Sequence, residues 1–195
     1  MNGWTLPESA LIGGVTYRIN ADFRDVLEVI DWLNNVDEDA SIGRYVALSL
    51  FFDGFENMPE SDYAEAFRFM ADFIAAGEED DGVTHPKLID WNQDRNIIAS
   101  EVNKVAGTEV RALKFLHWWT FIGYFSCIGD GQLALIVSIR EKKLKGKKLE
   151  KFEQEFYQKN RSRVDLKLHI TSEEKAVFDM WENAGRKRGG ISGEC

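Results

Sequence analysis

Cysteine and histidine are scarce in this 195-residue chain, which has two cysteines and three histidines. Cys127 lies within an apolar run and Cys195 is the last residue, so we expect two free thiols in a reducing compartment rather than a disulfide framework. A zinc site needs several His or Cys ligands at short spacing, whereas His85, His117 and His169 stand apart from one another. This pattern argues against a metal centre.

Sequence signatures of catalysis and nucleotide binding are also missing. No serine lies in a Gly-x-Ser-x-Gly elbow, and we expect Cys127 to be buried, where a thiol is a poor nucleophile. The Gly13-Gly14 pair fits a hairpin turn better than a phosphate-binding loop, and the acidic run 78–82 lacks the alternating oxygen ligands of a calcium loop. We therefore expect a protein that is not an enzyme and that uses no cofactor or metal.

No segment of the sequence looks built for a membrane or for export. The most apolar run, Leu113 to Ile128, is too short to cross a bilayer and is interrupted by Lys114 and His117. The first ten residues lack the basic start and the apolar stretch of a signal peptide. We expect no membrane association and a cytoplasmic location.

What the chain does contain is enough apolar and aromatic material for a sizeable core, at 44% hydrophobic and 12% aromatic residues.

The charge of the chain is distributed asymmetrically along the sequence. Residues 1–110 carry 7 Lys or Arg against 22 Asp or Glu, a net charge of −15, and residues 111–195 carry 17 against 11, a net charge of +6. Docking of acidic and basic faces would explain this asymmetry, and ordinary solvated helix faces are the alternative.

The order of local patterns predicts a mainly α-helical bundle with a short N-terminal β-hairpin. Apolar alternation around Gly13-Gly14 indicates the hairpin at about residues 9–20. Helical spacing then predicts four helices: one after a cap at Asn20 or Asp22, one over Ala40 to Phe52, one from Pro59 to Gly77, and one from about Asp90 to Val105 that is ended by Gly107.

A central helix is expected at about 113–128, because apolar residues occur on all sides of its helical wheel. Residues 1–140 then form a helical core, residues 141–184 a charged amphipathic helical extension, and residues 185–195 a disordered tail. The extension includes a short helix opened by the capping-box spacing of Thr171 and Glu174.

The basic run Lys142 to Lys148 is the strongest argument for nucleic-acid binding, because clustered lysines neutralise phosphates. Four glutamates flank it at spacings that allow helical ion pairs, at positions 141, 150, 153 and 155. A solvated charged helix is therefore the preferred interpretation, and nucleic acid is not an expected partner.

Four short motifs follow one another in a distinctive order: Asp22-Phe23-Arg24, Asp90-Trp91-Asn92-Gln93-Asp94, Leu116-His117-Trp118-Trp119-Thr120-Phe121 and Ile139-Arg140. Over about residues 8–160 their order and spacing resemble a phage family known as gene product fifteen, found in tail modules of long-tailed phages of Gram-positive hosts. The chain departs from the family pattern over 104–110, where the usual aromatic-containing turn is replaced.

The resemblance implies a role in tail morphogenesis and brings no catalytic residues. It implies a tail assembly chaperone that acts in the host cytoplasm and binds the tape-measure protein, with other tail proteins or further copies of the chain as possible partners. A structural component of the virion, in the tail or at the head–tail connection, is the alternative.

The residues that would contact a partner are predicted in the extension. Leu149, Phe152, Phe156 and Tyr157 follow a charged, glycine-containing segment outside the densest apolar stretch, so they are the candidate partner-binding residues. Trp118 and Trp119 are expected to lie in the core rather than on a binding surface.

Overall fold

The computed structural model describes residues 4–34, 40–77, 82 and 86–167. Most of the acidic 78–86 segment, the short helix expected from Thr171 and the tail expected over 185–195 lie outside these residues. Within them, no helix has the length and apolarity needed to span a bilayer.

The architecture is a helical bundle preceded by one β-hairpin, as the sequence predicts. The hairpin strands are β1 (Ser9–Ile12) and β2 (Val15–Arg18). The helices are α1 (Phe23–Asn34), α2 (Ala40–Phe51), α3 (Tyr63–Ile74), α4 (Arg95–Ala106), α5 (Trp118–Ser126), α6 (Gln132–Leu144), α7 (Lys151–Lys159) and α8 (Arg161–Val164). Short 3-10 helices cover Phe55–Asn57, Glu60–Asp62 and Val110–Ala112.

The hairpin turn rests on the start of α3. The strands pair antiparallel with Ile12 opposite Val15, and both turn residues have positive φ, 55° at Gly13 and 83° at Gly14. Positive φ at both central positions gives the turn the twist that a two-residue hairpin needs. The Gly13 amide donates a hydrogen bond of 3.1 Å to the Glu65 carboxylate, so the turn is fixed to the bundle.

Alanine at the two turn glycines is expected to have unequal effects. Gly14→Ala adds only backbone strain, about 1–2 kcal/mol of unfolding free energy, because no atom lies within 4 Å of its new Cβ. Gly13→Ala is expected to cost more, because its Cβ would overlap the Asp62 carboxylate. Urea unfolding measures both losses. In an Asp62→Ala background, Gly13→Ala should cost no more unfolding free energy than Gly14→Ala. A larger loss at Gly13 that persists in this background would contradict the steric explanation.

The main core lies where the hairpin, α1, α2 and α3 meet α4 and α5. Phe51, Phe52 and Phe73 are fully buried there, with the Phe51 ring 4.9 Å from that of Phe52 and 5.2 Å from that of Phe73. A second, smaller cluster of Ile136, Ile139 and Val164 lies where α6 meets α7 and α8. The boundary predicted at residue 140 therefore falls inside α6, and whether the extension folds independently stays a prediction.

The central helix is shorter and less enclosed than the sequence predicts. The expected range of 113–128 is wrong, because α5 begins only at Trp118 and ends at Ser126. His117 instead pairs with Asp22 as an antiparallel bridge, which holds the preceding segment extended. Ser126 and Cys127 are exposed, so the expected burial of Cys127 is also wrong. Trp118 and Phe121 are buried, whereas Trp119, Ile122, Tyr124 and Phe125 are only partly buried.

Other helix boundaries differ in ways that local contacts explain. The helical extension expected from residue 141 is interrupted, because α6 ends at Leu144 and Gly146 adopts a positive φ of 63°. The new helix α7 then starts after Glu150, whose amide donates to the Glu153 carboxylate at 2.9 Å. Gly107 ends α4 with φ of 69°, as predicted.

Candidate functional site

The four sequence motifs come together at two junctions in the described structure. Asp22-Phe23-Arg24 meets the Leu116-His117-Trp118-Trp119 segment at the first junction. Asp90 and Asp94 meet Arg140 and the end of α8 at the second. Their geometry shows what the motif residues do.

The first junction joins the start of α1 to the segment before α5. The buried Asp22 carboxylate accepts hydrogen bonds from the Arg24 amide (3.0 Å) and from two guanidinium nitrogens of Arg24 (2.7 and 2.8 Å). It also accepts one from the Leu116 amide at 2.9 Å, and the Leu116 carbonyl in turn accepts from the Phe23 amide at 2.9 Å. One carboxylate thus caps a helix and fixes a segment 94 residues away.

The environment of Asp22 favours its ionised form. Burial raises the pKa of this carboxyl, but hydrogen bonds from Arg24 and from the Leu116 amide outweigh burial and bring the pKa below the ordinary value of 3.8. Ionised Asp22 therefore stabilises the fold above the unfolded pKa, and this stabilisation is lost as the pH falls through the folded pKa.

Asp22→Asn is accordingly expected to destabilise the protein more at neutral than at acid pH. The amide keeps the shape but loses the charge-assisted hydrogen bonds, so the loss should shrink once wild-type Asp22 is itself protonated. Urea unfolding at about pH 7 and about pH 2.5 measures it. Asp130→Asn, at an exposed position, is the control. An equal loss at both pH values would show that the charge of Asp22 contributes nothing.

The His-Trp-Trp sequence joins the start of α5 to the end of α3. His117 Nδ1 accepts from the Trp119 amide at 3.0 Å, and Nε2 lies 3.0 Å from the Pro7 carbonyl oxygen. A neutral imidazole with its proton on Nε2 satisfies both contacts. The indole N–H groups of Trp118 and Trp119 donate to the carbonyls of Ile74 and Phe73, each at 2.9 Å. Both carbonyls lie in the last turn of α3, and that of Phe73 also accepts from the Ala76 amide at 3.0 Å.

The second junction is built around a buried guanidinium. Arg140 binds Asp94 through two hydrogen bonds of 2.6 and 2.9 Å, and both side chains are almost fully buried. The remaining three N–H groups donate to the carbonyls of Leu88 (2.8 Å), Arg163 (2.8 Å) and Val164 (2.7 Å). All five donors of the guanidinium are therefore satisfied inside the protein. Arg140 ties α4, α6 and α8 together.

Asp90 shapes the turn that leads into α4. Its carboxylate accepts from the amides of Asn92 (3.0 Å) and Gln93 (2.8 Å) and pairs with the Lys87 ammonium at 2.9 Å. Its own amide donates to Asp94 Oδ2 at 3.0 Å. The carboxylates of Asp90 and Asp94 therefore hold residues 90–93 in a turn by accepting hydrogen bonds from main-chain amides. The sequence predicts that α4 begins at about Asp90, but because of this turn it begins at Arg95.

Aromatic rings connect the two junctions. The Trp91 ring lies 6.0 Å from the Trp118 ring, 6.3 Å from Phe121 and 5.0 Å from Phe125, measured between centroids. Phe23 stacks on Phe121 at 4.5 Å. The motif residues form one internal framework, whose polar groups bond to one another and to the main chain. Within the described residues, no group of three or more His, Cys, Asp or Glu side chains could hold a metal ion.

The candidate partner-binding residues divide into two kinds. Leu149, Phe156 and Tyr157 are partly buried and pack on the Ile136–Ile139–Val164 cluster. Phe152 is 58% exposed. Of the four, only Phe152 therefore offers most of its side chain to a partner in this structure.

Three of the five lysines in the basic run form ion pairs. Lys142 pairs with Glu153 at 2.6 Å, Lys143 with Asp165, and Lys145 with Glu141. The hydrogen bond from Lys142 holds the pKa of the Glu153 carboxyl below its usual range. Lys147 and Lys148 are exposed. The run is therefore partly neutralised by the carboxylates that flank it, two of which the sequence pointed to.

An open apolar groove between α2 and α3 was missed by the sequence analysis. It has a volume of about 910 Å³, and its apolar lining is provided by Ile42, Tyr45, Leu48, Tyr63 and Phe67. Ile42 is 58% and Tyr45 53% exposed. The sequence feature that could have indicated this groove is the presence of apolar residues on more than one face of α2. One face contributes buried Ala47 and Phe51 to the core, and another carries the exposed Ile42 and Tyr45.

Comparison with known proteins agrees with the resemblance carried by the motifs. A sequence model of the family described as Bacteriophage Gp15 protein matches residues 5–166, a span that includes both junctions and the groove. No curated protein and no solved structure matches the chain. The chain therefore belongs to the Bacteriophage Gp15 protein family and is a phage structural or tail-related protein.

Proposed function

We propose that this protein is a non-catalytic tail assembly chaperone that binds the tape-measure protein during tail morphogenesis. The observation that carries the proposal is the groove between α2 and α3, which leaves Ile42 and Tyr45 more than half exposed. Exposed apolar surface of this kind marks binding sites for proteins. The motif framework, in contrast, is satisfied internally and serves the fold.

The proposed partner suits such a groove. A very long, largely helical tape-measure chain exposes apolar stripes until the tail tube surrounds it. An amphipathic helix can bury such a stripe in a groove between two other helices. Many copies of the chaperone on one long chain would add avidity to a weak individual contact.

Of the two alternatives, only nucleic-acid binding receives less support from the structure. Nucleic-acid binding through Lys142 to Lys148 would have to displace the carboxylates that already pair with Lys142, Lys143 and Lys145. A permanent component of the virion would share the fold and the groove. Mass spectrometry of purified virions separates that alternative from a chaperone, because a chaperone leaves before the particle is complete.

Co-expression of the tagged protein with the tape-measure protein of the same phage tests the proposal. We expect the tape-measure protein to become soluble and to elute with the wild-type chain. Ile42→Glu/Tyr45→Glu should abolish the complex, because it places charges in the apolar groove. Phe115→Glu/Leu144→Glu, two charges at apolar residues outside the groove that are 55% and 63% exposed, is the matched control. A tape-measure protein that neither binds nor gains solubility would overturn the chaperone function.

A further inference from the structure

The groove between α2 and α3 has the shape of a binding site for a third helix. Its lining residues lie on one face of each helix, with Ile42 and Tyr45 three residues apart on α2 and Tyr63 and Phe67 four apart on α3. At a rise of about 2.0 Å per residue over the 3-10 helix Glu60–Asp62 and about 1.5 Å over α3, the lining from Glu60 to Arg68 is about 13 Å long. The matching partner element is therefore two to three helical turns.

Two arginines border this apolar surface. The Arg44 guanidinium lies over the Phe67 ring, 5.7 Å from its centroid, which leaves its N–H edge open to an acceptor. Arg68 lies beside Phe67 on α3, and its Nε reaches only the Ala64 carbonyl, at 3.4 Å. Among the residues that the structure describes, no carboxylate forms a salt bridge with either arginine.

Arg44 and Arg68 are two cations in an acidic part of the chain. Residues 1–110 carry 7 Lys or Arg against 22 Asp or Glu. Three of those cations have carboxylate partners, namely Arg24, Lys87 and Lys104. The groove reverses the local balance, because it is lined by two arginines and one acidic residue, Glu60. A basic border in an acidic half of the chain attracts an anionic partner.

Resting on the proposed function, we infer that the groove binds an amphipathic helix of the partner protein whose apolar stripe is flanked by acidic residues. The stripe packs on Tyr45, Tyr63 and Phe67, and the acidic side chains pair with Arg44 and Arg68. Arginine suits this role because its planar guanidinium can stack on an aromatic ring and still bind a carboxylate with two N–H groups.

Two labelled helical peptides test this inference with the full-length protein. Both have about 18 residues and the same leucine stripe, and they differ only in flanking glutamates or lysines. Fluorescence polarisation is expected to show about 10-fold tighter binding of the glutamate peptide. Arg44→Glu/Arg68→Glu should reverse this preference. Should that variant fail to fold, Arg44→Gln/Arg68→Gln replaces it and should abolish the preference.

The control variant, Arg18→Glu/Arg95→Glu, changes charge equally at two exposed arginines outside the groove and should leave the preference intact. Equal binding of both peptides to the wild type, or an unchanged preference in the Arg44/Arg68 variants, would overturn the inference. Two other occupants would overturn it as well. Dimers that dissociate on Ile42→Glu would identify a second copy, and an Ile42 methyl resonance that shifts on Phe178→Ser would identify the chain's own C-terminal segment.

Failure of this inference differs from failure of the proposed function. If the tape-measure protein binds the wild type and the Arg44→Glu/Arg68→Glu variant equally well, the proposed chaperone function is retained. The inference that the groove recognises an acidic helix is then wrong. If the glutamate peptide binds with the expected preference and the tape-measure protein does not co-purify, the groove recognises an acidic helix from another partner.

Discussion

Arg140→Met is expected to lower the free energy of unfolding by about 3–5 kcal/mol, the usual effect of removing one partner of a buried ion pair. Methionine approximates the volume of the side chain but supplies no donor. The Asp94 carboxylate would then remain buried, at 4% exposure, without its counter-ion. The carbonyls of Leu88, Arg163 and Val164 would each lose a hydrogen bond. Urea unfolding followed by circular dichroism measures the loss.

Arg161→Met is the matched control for Arg140→Met. Arg161 pairs with Asp165 at 3.3 Å, but its side chain is 76% exposed, so its removal should cost less than about 1 kcal/mol. Arg140→Lys keeps the charge but offers three donors in place of five, and an intermediate loss is expected. If Arg140→Met costs no more than Arg161→Met, the second junction does not stabilise the fold.

The parts of the fold that follow from neighbours along the chain were predictable from sequence. The hairpin follows from Gly13-Gly14 between alternating apolar residues, because glycine readily adopts the positive φ that both central positions of a two-residue turn need. The end of α4 follows from Gly107 for the same conformational reason. The mainly helical class follows from the repeated three-and-four spacing of apolar residues.

The parts that depend on distant residues were not predictable in this way. Leu113 to His117 have the apolar character of a helix, yet hydrogen bonds from a segment more than 90 residues earlier hold Leu116 and His117 extended. The pairing of Asp94 with Arg140 spans 46 residues and appears only once α4 and α6 pack together. Local spacing contains no information on such contacts.

The groove illustrates a second limit of periodicity. Ile42 and Tyr45 have the same spacing as core residues, and a sequence cannot show which apolar face of α2 meets other helices and which stays open. The motif resemblance, in contrast, singled out residues that the structure joins in one framework, although it did not reveal that Trp118 and Trp119 bond to the end of α3. Order along the chain identified these residues, and only packing explains them.

Trp118→Ala should reveal how strongly the fold depends on this packing, with an expected loss of about 3–5 kcal/mol in the free energy of unfolding. Trp118 is 1% exposed and fills the space between Trp91, Phe121 and the end of α3. Trp4→Ala, at a side chain that is 97% exposed, should stay within about 0.5 kcal/mol and controls for loss of an indole.

Trp118→Phe separates the two contributions of this residue. Phenylalanine retains a buried ring but leaves the Ile74 carbonyl without the indole donor, for which a loss of about 1–3 kcal/mol is expected. The remainder of the Trp118→Ala loss then measures ring packing. If Trp118→Phe were neutral, the hydrogen bond to Ile74 would not stabilise the end of α3, and packing against Trp91 and Phe121 alone would explain the requirement for a large aromatic residue at this position.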